Sequence, residues 1–124
     1  MHGKGGKTMS PGDVKKETLK ALRRTRKEMM SAAWIDALKK KSDEERRVAA
    51  LKLLDVNNAI HELQNAVLAD IRDKLVANEA ELLKGIAGLD KALENLNQAK
   101  KVINSVSKVL DIVAKVVTFV VTHL

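Results

Sequence analysis

His61-Glu62-Leu63-Gln64-Asn65 is the stretch of this chain that comes nearest to a reactive motif. It opens like the His-Glu-x-x-His helix, where two imidazoles four residues apart hold zinc and the glutamate acts as general base. Asn65 stands where the second histidine is needed, so the two-ligand face is missing. His2 and His123 lie near the two termini, and no spacing ties them to His61. The sequence therefore offers no metal site and calls for no cofactor.

Nucleophiles and carboxylate pairs lead no further. The chain has no Cys, which removes disulfides, thiolate metal sites and cysteine nucleophiles. Ser10 and Ser42 read as helix caps, and no strand-turn-helix setting exists for a nucleophile elbow. Glu44/Glu45, Glu79/Glu81 and Asp70/Asp73 fall on helical stretches, where they serve as solvated faces or partners of a helix dipole. The Gly3-Lys4-Gly5-Gly6-Lys7 run lacks the strand and the spacing of a phosphate loop. With no catalytic constellation, the expectation is a non-enzyme with no small-molecule substrate.

The elements that carry these residues are helical. Apolar residues make up 45% of the 124, charged residues 31% and aromatics 2%. A core of Leu, Val, Ile and Ala suits helix-on-helix packing, and the missing aromatics argue against stacked base platforms. Residues 1–9 have three Gly and no apolar period, so they read as a flexible tail. Residues 10–124 then form a single helical domain.

Three helices are expected within it, at about 11–41, 43–77 and 79–123. Ser10-Pro11-Gly12-Asp13 starts the first, with Ser10 as cap and Pro11 in the first turn. Ser42-Asp43-Glu44-Glu45 matches a capping box and starts the second. Asn78 with Glu81 is a weaker cap for the third. No Gly or Pro marks that break, so a continuous rod through 76–82 is the alternative. Residues 82–124 carry an unbroken stripe from Leu82 through Ile86, Leu89 and Leu93 to Val113, Val120 and Leu124. Its steps alternate four and three, except for two consecutive threes at Leu93-Leu96-Ala99, a phase slip in a coiled-coil seam. Such a helix would be about 65 Å long. The expected architecture is an elongated antiparallel three-helix bundle.

The C-terminal segment is over-wide in its apolar face. From Val102 on, polar residues keep to one row, and a helix with two neighbours needs a narrower stripe. Ile103, Val106, Leu110, Val113, Val117 and Val120 are expected to face the other helices. Val102, Val109, Ile112, Val116 and Phe119 are expected to contact a partner or a membrane. Lys108, Asp111 and Lys115 interrupt the run, so it is no ordinary spanning segment. Met29 and Met30 near Trp34 read first as core and second as an adaptable binding surface.

Charge completes the reading. The net charge is +7. Residues 1–48 hold 14 Lys and Arg against 7 Asp and Glu, and the remainder holds 9 of each, so the whole excess lies in the first part. Arg23, Arg24, Arg26 and Lys27 are the candidate anion contacts. The functional expectation is a helical interaction protein that self-associates or binds a protein through its C-terminal helix. A membrane-active protein, with a basic first helix on anionic headgroups, is the alternative. Nucleic acid comes third, since no groove-reading motif accompanies the charge. No secretory signal precedes the helices, and with the lack of Cys this favours a cytoplasmic location.

Overall fold

The computed structural model describes residues 9–121. Within them the regular structure is all α-helix: α1 (Pro11–Glu28), α2 (Ala32–Lys39), α3 (Asp43–Asn65), α4 (Leu68–Ala92) and α5 (Ala99–Val113). The all-α class is as expected, but there are five helices where three were expected. The flexible tail expected at 1–9 lies outside the described residues except for Met9.

The starts read from capping chemistry are present. The Ser10 hydroxyl accepts from the Asp13 amide at 3.1 Å, with Pro11 in the first turn. The Ser42 hydroxyl accepts from the Glu45 amide at 3.1 Å. The reciprocal arm of the box differs: the Glu45 carboxylate takes the Ser42 hydroxyl proton, at 3.2 Å, instead of the Ser42 amide.

Three breaks correct the expected boundaries. The helix expected over 11–41 stops at Glu28, because Ser31 turns outward, accepts the Trp34 amide at 3.2 Å and donates to Glu28 O at 2.7 Å. The helix expected over 43–77 ends at Asn65. Ala66 adopts an extended conformation, and its carbonyl takes the Lys15 ammonium at 2.8 Å. The third helix, expected over 79–123, is two. Asn78 lies inside α4, where its side-chain amide donates to Lys74 O at 2.8 Å. The chain instead reverses over 93–98, where the Asn97 amide donates to the Asn95 side chain at 3.2 Å. The double three at Leu93-Leu96-Ala99 is thus a turn between two helices, not a slip in one rod. Beyond Val113 the chain runs through a turn into non-helical residues 118–121.

The four longer helices close into a ring in the spatial order α1, α3, α5, α4, and the short α2 bridges α3 and α5. Bonds across the seams set the directions. Lys15 to Ala66 and Arg26 to Asn57 make α1 and α3 antiparallel. Met9 to Glu79 and Arg24 to Asp90 make α1 and α4 parallel. Gly85 opposite Val109 and Lys115 near Glu81 make α4 and α5 antiparallel. It follows that α3 and α5 run the same way. Consecutive α3 and α4 are therefore diagonal partners, not neighbours.

One core runs through all five helices. Val14, Leu22, Trp34, Val56, Leu63, Leu75, Leu82, Leu89, Val102 and Leu110 belong to it. Thr18 and Thr25 are buried on α1 and return their hydroxyl protons to Val14 O and Ala21 O, so neither costs an unmade hydrogen bond.

Candidate interaction surfaces

The residues that resemble chemistry are placed in caps and pairs. His61 and Asn65 stand exposed on the last turns of α3, with the Asn65 amide nitrogen 3.3 Å from His61 Nε2. Glu44 pairs with Arg47 at 2.9 Å in the first turn of α3. Glu79 accepts the Met9 amide at 3.3 Å, and Glu81 is 3.9 Å from Lys115. Among the described residues no three His, Cys, Asp or Glu come together as a metal-binding group.

The row assigned to an outside contact is corrected by its burial. Val102 and Val109 are fully buried and Val116 is 2% exposed; Ile112 and Phe119 are half-buried against the core. The reason is the ring: α5 is flanked by α3 and α4 both, with α1 diagonal to it. With the short α2 also packed against it, α5 has three neighbours where a three-helix bundle gives two, and it buries a correspondingly wider arc. The expected inner row holds at Val106, Leu110, Val113 and Val117, while Val120 is 79% exposed.

The candidate anion contacts serve partly as straps. Arg23 donates to Gln64 at 2.9 Å, Arg26 to Asn57 at 3.4 Å, and Arg24 pairs with Asp90 at 3.0 Å. Lys27 is exposed, and with Lys16, Lys20 and Arg23 it makes a line at four-three-four spacing on the solvent side of α1. At 1.5 Å per residue that line is about 16 Å long.

Two further surfaces stand out, the first touched by the second reading of Met29 and Met30 near Trp34 and the other unread in the sequence. The first is an apolar groove between α2 and α3. Met29, Trp34 and Ala49 form its buried floor, and Leu38 and Leu53 are half-buried along it. Met30 and Ile35 stand out along it at 62% and 50% exposure. The two methionines thus divide, Met29 into the core and Met30 onto the surface. Sequence shows the apolar types, but the stop at Glu28 decides which side each takes.

The second is an open cleft of about 560 Å³ lined by Lys41, Gln98, Lys100, Lys101, Asn104, Ser105 and Lys108. None of its four lysines has a carboxylate of a described residue within 4 Å. Lys41 is held in place by its backbone: its amide donates to Leu38 O at 2.9 Å, and Arg46 donates to Lys41 O at 2.9 Å. The same Arg46 also pairs with Asp43. The cleft joins residues some sixty positions apart, so no local pattern announces it.

One buried ion pair was also missed. Lys52 and Asp55 on α3 are 6% and 2% exposed, with Lys52 Nζ 3.8 Å from Asp55 Oδ2. Lys52 occupies the inward stripe of α3 with Ala49, Val56 and Leu63. The signal available was its three- and four-residue spacing to those apolar neighbours.

Among the described residues no helix is long and apolar enough to cross a membrane. Comparison with protein-family models, curated proteins and solved structures finds no match to this chain.

Proposed function

We propose that this chain is a non-enzymatic helical interaction protein that pairs with a second copy of itself through the α2–α3 groove. The observation that carries the reading is Met30 and Ile35 standing exposed on the groove floored by Trp34 and Ala49. Protrusion and recess on one patch are what a two-fold interface needs, because each copy then fills the other. The chain nearby carries both signs of charge, Glu28 and Asp36 with Lys27 and Lys39. A mixed patch meets itself without net repulsion, unlike the all-basic line of α1. This moves the expected self-contact from α5 to α2 and α3. Sedimentation velocity tests it: wild type should associate reversibly at micromolar concentration, and Met30→Asp with Ile35→Asp should run as a folded monomer. A wild type that stays monomeric at high micromolar concentration refutes the reading.

A second reading is peripheral attachment to an anionic membrane. The exposed line of Lys16, Lys20, Arg23 and Lys27 supports it, since such a row attracts an anionic surface.

A further inference from the structure

We propose that the lysine cleft between Lys41 and the first turns of α5 binds a ligand that carries two or more phosphate groups. Four lysines line one open cleft, and none of them has a carboxylate of a described residue within 4 Å; Lys108 also borders a second cleft that holds Glu81 and Asp111. A concave site with one sign of charge concentrates counter-ions more strongly than the same charges on a ridge. At about 560 Å³ the cleft exceeds what a single phosphate fills and lies in the range of small-ligand pockets. Gln98, Asn104 and Ser105 add neutral hydrogen-bonding groups to its lining.

The local sequence runs against stability in a way that favours this use. The first turns of α1, α3 and α4 hold acids, Asp13, Asp43 with Glu44 and Glu45, and Asp70. Such acids favour the positive helix end. The first turn of α5 holds Lys100 and Lys101 and no acid, and its cap residue Gln98 makes no side-chain capping bond. Cations there oppose the dipole and repel each other, and Lys41 and Lys108 add to the repulsion. Local rules are broken in this manner where a site needs the charge. An anion of matching charge relieves the repulsion.

Lysine fits phosphate better than it fits the planar geometry of a carboxylate, because it acts as a compact point charge without a fixed fork. The cleft offers no aromatic ring on which a base could stack. The chemistry therefore points to phosphate groups themselves, borne by a soluble polyphosphate or by a phosphorylated lipid headgroup.

Isothermal titration of the full chain with tripolyphosphate, at about 0.15 M salt, reads this directly. A parallel arm uses phosphatidylcholine vesicles with and without phosphatidylinositol bisphosphate. The variants are Lys100→Gln with Lys101→Gln, Lys41→Gln with Lys108→Gln, and Lys74→Gln with Lys91→Gln, both exposed on α4, as a control of equal charge change. Circular dichroism checks that each stays helical. Either cleft pair should weaken binding by about tenfold or more, since charge-assisted hydrogen bonds are lost, while the α4 pair should change it less than about twofold. That pattern with tripolyphosphate supports a soluble ligand, and the same pattern with the phosphorylated vesicles alone supports a lipid headgroup. Absence of binding to every probe, or an equal loss in the α4 control, overturns the proposal.

Discussion

Gly85 of α4 lies directly beneath Val109 of α5: a methyl group at residue 85 would stand 3.3 Å from Val109 Cγ2 and 3.5 Å from Ile112 Cδ1. The missing side chain lets the two helices approach closely enough to bury Val109 completely. This contact closes the α4 side of α5, the side expected to await a partner.

The two glycines of α4 should therefore respond differently to alanine. Gly88 has nothing within 4 Å of an added methyl. Gly88→Ala should stabilise by about 0.5–1 kcal/mol, because alanine loses less backbone freedom in a helix. That is a rise of roughly 2–4 °C in Tm for a chain of this size. Gly85→Ala should gain clearly less or lose, because Val109 and Ile112 must move aside. Thermal unfolding of both variants decides; an equal gain would mean the α4–α5 contact is slack.

Val109→Asp should unfold the protein, as Val113→Asp should, because both place an unpaired carboxylate among apolar groups at several kcal/mol. Ile112→Asp, at a half-buried position, should keep most of its far-UV helicity. A Val109→Asp protein that melts within a few degrees of wild type would show that α5 does not sit between α3 and α4.

Asp55→Ala leaves the Lys52 ammonium inside α3's packed face without the carboxylate beside it. Breaking a buried pair from one side costs about 3–5 kcal/mol. Combining it with Lys52→Met should recover most of that loss, since two apolar side chains replace two charges. Urea unfolding of the singles and the double gives the coupling; strictly additive losses would mean the pair is not energetically linked.

Binding to anionic vesicles, where it occurs, should fade with salt as the Debye length falls from about 10 Å at 0.1 M to about 3 Å at 1 M. Replacing Lys16, Lys20 and Lys27 with Gln should remove it while helicity stays. Arg23, Arg24 and Arg26 are poorer test positions, because they also strap α1 to Gln64, Asp90 and Asn57. Salt-insensitive binding by the triple variant would exclude an electrostatic attachment through α1.

The amino-acid sequence by itself determined the all-helical class, the starts at Ser10 and Ser42 and the inward row Val106, Leu110 and Val113. These follow from capping chemistry and from a period of 3.6, which act within a few residues. The break at Ser31 was local too, but a lone serine without a following acid is a faint signal. The reversal at 66–67 has no Gly or Pro at all. Ala66 turns there because Lys15, fifty-one residues away, takes its carbonyl. Asn78 bears a cap residue's chemistry, yet it stays in α4 because Leu75 and Leu82 on either side of it are buried. Only the tertiary structure decided these points, and with them the ring of four helices, the burial of Val102 and Val109, and the meeting of Lys41 with Lys100, Lys101 and Lys108. Each depends on which helices become neighbours, and that choice rests on contacts between distant residues that no short-range pattern encodes.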